Sequence, residues 1–238
     1  MKKVAVIVET REHKALPFVL ENFSNNLPDE WKFQIFCGNQ NEKYINKIQK
    51  PDRDFIIKKL DVDYLEHDDY VSLLTNEQFW LDCEGDIILT FQTDSMLCSN
   101  SKYTISDFEN FDFIGGYWGN VLNPLDSKYN RVMNGGLSIR NKQFMLDIIR
   151  NELESYLNDG GNPCEDYFVS ACLKNKPTFR EVLTFCIDNG YMYPLNDEAP
   201  FGLHNPWGSN PQKGQGKYYE DIKKVCPEIV KLEELNGI

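Results

Sequence analysis

The run Val4-Ala5-Val6-Ile7-Val8 constrains the fold more than any other feature of the sequence. Five successive apolar, mostly β-branched residues leave no polar face, so the strand must be covered on both sides, as strands of parallel sheets are. An amphipathic stretch follows, opened by Pro17, with Leu16, Val19, Leu20 and Phe23 on one face, and ended by Asn25-Asn26 and Pro28. Phe33 to Cys37 reads as a second strand closed by Gly38, Asp54 to Leu60 as a third, and Asp86 to Phe91 as a fourth. A polar helix-like segment runs to about Lys50, and helical spacing recurs over Tyr70 to Leu81. The alternation predicts an α/β fold with a Rossmann-type sheet, mixed and mostly parallel, flanked by helices.

The second half is less regular. Phe111 to Ile114 is expected as a strand ending at Gly115-Gly116, and Leu137 to Arg140 as a strand entering a helix over Asn141 to Leu157. Asn158 to Pro163 is a turn cluster, and a further helix starts with Glu165-Asp166. The Gly-, Pro- and Asn-rich segment Asn196 to Gly216 is expected as a surface loop. With no linker or internal repeat, residues 1–238 are expected as a single domain, with a motif-bearing core over about 4–207 and a C-terminal loop and helix over 208–238.

Charge and apolar patterning narrow the partners. Lys and Arg number 25 against 37 Asp and Glu, a net charge of −12, and Lys/Arg occur in no cluster beyond pairs. This opposes nucleic acids and anionic membranes, which need a basic surface. No apolar run approaches the ~20 residues that span a bilayer, and Met1-Lys2-Lys3 leads only into the short run broken at Glu9, so neither a signal peptide nor membrane insertion is expected. The seven cysteines (Cys37, Cys83, Cys98, Cys164, Cys172, Cys186, Cys226) form no C-x-x-C pair. They are expected as buried small hydrophobes in a cytoplasmic, reducing setting.

Four local patterns carry chemistry. Phe91-Gln92-Thr93-Asp94-Ser95 delivers a carboxylate at the C-terminal end of a strand, where α/β sheets bind ligands; Asp94 either holds a hard divalent cation or caps the turn. Asn134-Gly135-Gly136 allows close backbone approach to a ligand or makes a tight turn. Glu165 and Asp166 either complement a helix dipole or place a general base near an acceptor hydroxyl. His204, in Phe201 to Trp207, is either a structural imidazole or a metal ligand, and Trp207 either stacks on a sugar or pins its loop.

Together with Val4 to Arg11 and Leu73 to Trp80, these patterns resemble an uncharacterised family of glycosyltransferase-like proteins of unknown function, itself similar to the GT-A class of nucleotide-sugar-dependent glycosyltransferases. The resemblance runs from about Val4 to Trp207. It implies that Thr10 and Arg11 bind the nucleotide and that Gln92-Thr93-Asp94 occupies the place of the Asp-x-Asp motif, with Gln92 standing for the first Asp. Asp94 and His204 would then ligate the metal, while Asn134, Gly135 and Gly136 contact the donor sugar and acceptor. His204 resembles the ligand of a glycogenin-like His-x-x-Gly-x-x-Lys-Pro-Trp stretch in which Asn205 replaces the Lys. Asp166 matches the base of inverting members, with Glu165 as fallback, and Trp118 and Trp207 are expected at the acceptor.

The expected activity is transfer of a sugar from a nucleotide sugar, a UDP-sugar by preference, to a glycan, protein or small-molecule hydroxyl, with Mn²⁺ or Mg²⁺ as cofactor. Inversion at the anomeric carbon is favoured over retention. Two other classes stay open: a catalytically inactive nucleotide- or glycan-binding module, and a nucleotidyltransferase. Glu9-Thr10-Arg11-Glu12-His13 lacks the glycines with which the latter would grip a triphosphate.

Overall fold

The computed structural model describes residues 1–48, 52–117, 132–189, 195, 197–207 and 219–238. The strands are β1 (Lys3–Val8), β2 (Trp31–Cys37), β3 (Phe55–Lys59), β4 (Ile87–Thr90), β5 (Ser95–Leu97), β6 (Phe113–Tyr117), β7 (Met133–Asn141), β8 (Cys186–Ile187) and β9 (Gly202–His204). They form one sheet in the order β3-β2-β1-β4-β7-β6-β8-β9-β5. β3, β2, β1 and β4 run parallel, β7 is antiparallel to both β4 and β6, and β9 pairs parallel with β8 and antiparallel with β5. The mixed, mostly parallel sheet of the expected α/β class is therefore present.

Burial explains the first half. Val4 to Ile7 are all buried, and α1 (Leu16–Asn26) lays Leu16, Val19, Leu20 and Phe23 against the sheet. Phe23 stacks on Phe91 at 4.1 Å between centroids, and Phe33 meets Phe91 edge-on at 6.4 Å. Each such ring contributes roughly 1.5–3 kcal/mol when buried. Phe91 is thus anchored immediately before Gln92, Thr93 and Asp94, so the turn that carries them starts from a fixed point. The short α2 (Glu42–Lys47) bridges β2 and β3.

Several boundaries differ from expectation for local reasons. The helix expected over 70–81 is two, α3 (His67–Leu74) and α4 (Glu77–Asp82), because Asn76 is extended and its side chain caps Gln78 N at 2.8 Å. The helix after β7 also breaks, at Glu152, into α5 (Lys142–Asn151) and α6 (Leu153–Asn158). Glu165 and Asp166 open α7 (Glu165–Cys172), and α8 (Phe179–Phe185) leads into β8. The glycine pairs lie inside strands rather than at their ends: Gly115-Gly116 in β6, with a bulge between them, and Gly135-Gly136 in β7. The segment expected as loop from Asn196 onward contains β9, whose three residues pair with β5.

The chain closes with α9 (Tyr219–Val225) and α10 (Ile229–Asn236), whose Ile222, Cys226, Ile229 and Leu232 join the core. Cys98 and Cys226 are disulfide-bonded across 128 residues, which corrects the expectation that all seven cysteines are unpaired thiols. The other five are free, with Cys37, Cys83 and Cys186 buried. The bond pairs residues that only the tertiary fold brings together. Among the described residues no helix is long and apolar enough to cross a membrane. Replacing Cys226 by Ser is expected to lower stability by about 2–5 kcal/mol, read as a lower urea midpoint; an unchanged midpoint would mean that apolar packing alone holds α9 and α10.

Candidate functional site

From β1 the chain proceeds to β2 and β3 on one side, then returns to β4 on the other side of β1. The connections part at the C-terminal ends of β1 and β4, opening a crevice where open α/β sheets bind ligands. Here it encloses about 330 Å3, and its walls include Glu9, Thr10, Arg11, Tyr70, Gln92, Thr93 and Asp94, with Asn236 from α10. Five of the residues singled out from the sequence therefore share one cleft.

The turn after β1 is built around Glu9. Its buried carboxylate receives Arg11 Nε and Nη2, each at 2.8 Å, and the Asn41 side chain donates to the carbonyls of Glu9 and Arg11 at 2.8 and 2.9 Å. Fixed at one edge by this fork, the half-exposed guanidinium is a preorganised cation at the cleft. Thr10 instead turns its hydroxyl to accept from Leu65 N at 3.1 Å, and Thr93 Oγ1 reaches Glu9 Oε2 at 3.4 Å. Asn236 Nδ2 donates to Thr93 O at 3.1 Å, tying α10 to the second turn.

Asp94 meets His204 through backbone pairing. Ser95 lies opposite His204 in the β5–β9 ladder, and Asn205 N donates to Asp94 O at 3.0 Å. Asp94 Oδ1 stands 3.4 Å from His204 Nε2 and, among the described residues, has no hydrogen-bond partner although it is buried. Gln92 Oε1 is 3.1 Å from the same nitrogen, while Asp188 Oδ2 is 3.1 Å from Nδ1. Oxygens thus face both ring nitrogens. Burial opposes the charged ring, but Asp188 and Asp94 outweigh it and raise the His204 pKa to about 9.

β7 and α7 supply the second half of the site. Asn134 Oδ1 accepts from Gly136 N at 2.7 Å, and Asp166 Oδ1 accepts from Gly135 N at 2.9 Å. A Cβ on Gly136 would lie 2.1 Å from His204 Nε2, and one on Gly135 would lie 2.1 Å from Arg140 Nη2 and 2.6 Å from Asp166 Oδ1. Both glycines make room for charged side chains. Arg140, wholly buried, pairs with Glu165 and receives the rings of Trp80 and Phe113 at 5.4 and 5.0 Å from its guanidinium carbon. Glu165 is therefore committed to an ion pair. Asp166 is buried, and that burial, followed by the neighbouring Glu165 charge, raises its pKa well above the ordinary carboxylate range.

Asn134, Gly135, Gly136, Glu165, Asp166 and His204 lie beside the cleft rather than among its lining residues. Trp207 is half-buried and packs on the core, and Trp118 lies outside the described residues. Sequence reasoning did not single out Glu9, Tyr70, Arg140 or Asp188. Only Glu9 and Arg140 carried a signal, each being a charge at the end of an apolar run; Asp188 follows a two-residue strand with no pattern of its own.

Two ligands ~2.1 Å from one ion sit ~3.0–3.4 Å apart in octahedral or tetrahedral geometry. The unpartnered Asp94 oxygen and His204 Nε2 fit that spacing, the carboxylate being a ligand that suits Mn²⁺ and Mg²⁺ alike and the imidazole one that suits transition metals. Cys164, Glu165 and Asp166 also bring potential ligand atoms within 4.8 Å of one another. There, however, Glu165 is taken by Arg140 and one Asp166 oxygen by Gly135 N.

The raised His204 pKa sets a pH dependence in metal-free protein. A folded value of about 9 against an ordinary 6.5 means that the stabilisation is complete below pH 6.5 and is lost as pH rises through 9. The stability difference between the wild type and His204→Gln, in EDTA, is expected to shrink by on the order of 1–3 kcal/mol over that range. A difference that is flat with pH would contradict the charged imidazole.

The geometry can be set beside known proteins. Two crystal structures of the glycosyltransferase GlyE of Streptococcus pneumoniae TIGR4 share the fold: the apo form with a TM-score of 0.54 at 11% identity, and a second with 0.53 at 12%. Each similarity covers 86% of this chain and 54% of GlyE, so the chain spans about half the length of that protein. No curated protein matches the sequence significantly. The profile of the family described as "protein of unknown function (DUF5672)" matches residues 54–204, from β3 through His204, more than half of the chain. The chain, with its glycosyltransferase-like fold, belongs to the DUF5672 family.

Proposed function

We propose that this protein transfers a sugar from a nucleotide sugar, a UDP-sugar by preference, to a hydroxyl acceptor, with a divalent cation, Mn²⁺ or Mg²⁺, at Asp94 and His204. The observation that carries the reading is the buried, unpartnered Asp94 oxygen facing His204 Nε2 at 3.4 Å, beside the switch-point cleft of a glycosyltransferase-like fold. The cation supplies positive charge to the diphosphate leaving group in a protein whose net charge is −12.

The chain's own residues account for the remaining roles. Thr10 and Thr93 belong to the turns at the nucleotide end of the cleft, where Arg11, braced by Glu9, offers a guanidinium to the donor. Tyr70, whose hydroxyl burial raises to about 12, hydrogen-bonds Gln92 and remains a neutral donor at physiological pH. Asn134, Gly135 and Gly136 present backbone close to the sugar. Asp166 takes the proton of the acceptor hydroxyl; that oxygen forms its bond to the anomeric carbon as the carbon–phosphate oxygen bond breaks, and the electron pair leaves with the nucleoside diphosphate. A carboxylate whose pKa burial has raised is the stronger proton acceptor. The Arg140 ion pair makes Glu165 a poor substitute and leaves Asp166 as the base. Attack opposite the leaving group inverts the anomer, and the acceptor is a glycan, protein or small-molecule hydroxyl.

Gln92 favours a second reading, a nucleotide-binding module without turnover, because an amide stands where a second carboxylate would strengthen the cation site. Release of UDP from a UDP-sugar panel with Mn²⁺ separates the two. Asp94→Ala is expected to abolish release, and Asp166→Asn to lower it by roughly 10² to 10⁴ while leaving donor binding in place. Tight nucleotide binding with no turnover on any donor would favour the binding module. Near-full activity of Asp166→Asn would remove it as base.

A further inference from the structure

We infer that Asp188 is a positioning residue of the cation site: it holds the His204 ring in the one orientation that turns Nε2 toward Asp94. The inference rests on the proposed cation at Asp94 and His204 and adds a residue that does not itself touch the ion.

Three observations carry it. Asp188 is 1% exposed, at the end of β8, and its Oδ2 lies 3.1 Å from His204 Nδ1 while its Oδ1 accepts from Asn189 N. Both oxygens are thus engaged and the carboxylate cannot swing. Space has been cleared for it: a Cβ on Gly116 would come within 2.9 Å of Asp188 Oδ2 and 3.1 Å of Asp188 Cβ. The ring lies over Gly136, where a Cβ would meet Nε2, Cε1 and Cδ2 at 2.1, 2.3 and 2.6 Å. Gly136 therefore accommodates the plane of the imidazole but does not distinguish its two edges.

Gln92 Oε1, 3.1 Å from Nε2, favours the same edge in the metal-free ring, but once Nε2 gives its lone pair to a cation the hydrogen bond that keeps the edge is the one to Asp188. Turning the ring by a half-rotation about its Cβ–Cγ bond exchanges Nδ1 with Cδ2 and Nε2 with Cε1. The flipped ring sets a carbon against the buried Asp188 oxygen and another toward Asp94, losing a charge-assisted hydrogen bond and the ligand at once. In the observed orientation Nδ1–H donates to Asp188, so in the cation-bound ring the lone pair is on Nε2 and faces Asp94 Oδ1. A carboxylate behind a ligating imidazole also raises its basicity, and losing such a partner weakens metal binding by about 10- to 100-fold.

The test uses the full chain without nucleotide, with Mn²⁺ binding followed by the EPR signal of the free ion. Asp188→Ala is expected to weaken Mn²⁺ binding ~10- to 100-fold, and Asp188→Asn, which keeps an acceptor but not the charge, by less. Circular dichroism reports whether each variant is folded. Folded variants that bind Mn²⁺ as the wild type does would overturn the positioning role while leaving the cation site intact. A wild type that binds no Mn²⁺ would overturn the cation reading and this inference with it. Ring-¹⁵N NMR of the Zn²⁺-loaded wild type needs no variant to fold: a proton on His204 Nδ1 is expected, and a ring bound through Nδ1 would refute the assignment.

Discussion

Four glycines in the middle of the sheet, Gly115-Gly116 on β6 and Gly135-Gly136 on β7, are the constraint on which the candidate site depends. A strand glycine costs roughly 0.5–1 kcal/mol relative to alanine, so two adjacent pairs oppose the strands that contain them. What they provide is volume beside the backbone. Asp188 occupies the room at Gly116, the His204 ring that at Gly136, and Arg140 with Asp166 that at Gly135. At Gly115 a Cβ would strike the Asn134 carbonyl, so this glycine is what allows the bulge opposite β7. Without Gly116, Gly135 and Gly136 these charged side chains would have no place within the sheet layer.

Burying that many charges is tolerable because most of them are paired or hydrogen-bonded. Arg140 faces Glu165 and two aromatic rings, and His204 lies between Asp188 and Asp94. Removing one partner of such a pair leaves an uncompensated buried charge, which is far more costly than the net worth of the pair. Two charged groups of the site still carry a buried atom without a hydrogen bond among the described residues, Arg140 Nη1 and Asp94 Oδ1, and the second faces the His204 imidazole. A net charge of −12 argues against extended polyanions, but a single diphosphate is a different ligand. The cation proposed at Asp94 and His204, together with Arg11 braced by Glu9, would offset that acidity for a single diphosphate.

Much of this was legible in the sequence. The continuous apolar runs of β1 and β4 specify the buried centre of a parallel half-sheet, because two-sided burial writes itself into such strands, while β2 and the half-buried edge strand β3, with Lys58 and Lys59, show it only in part. Asp94 was legible for the same reason, as the carboxylate at the end of such a run. The other half of the site was not. β5, β8 and β9 have two or three residues each, too few for any periodicity, yet the β5–β9 ladder is what sets His204 beside Asp94. The glycine pairs read as a strand end at Gly115-Gly116 and as a close approach or a turn at Gly135-Gly136, because glycine is rare within strands; apart from Arg140 on β7 itself, the charges they accommodate, Asp166, Asp188 and His204, come from more than 20 residues away in sequence. In sequence only the family resemblance puts Asp166 before Glu165, whereas in the structure their partners differ, Arg140 for Glu165 and Gly135 N for Asp166.

The proposed site stands or falls with a cation shared by Asp94 and His204. Anomalous diffraction from crystals soaked with Mn²⁺ and UDP tests it most directly. One manganese peak is expected ~2.0–2.2 Å from both Asp94 Oδ1 and His204 Nε2. A peak at Cys164, Glu165 and Asp166 instead, or UDP bound in the cleft with no manganese at Asp94, would contradict it.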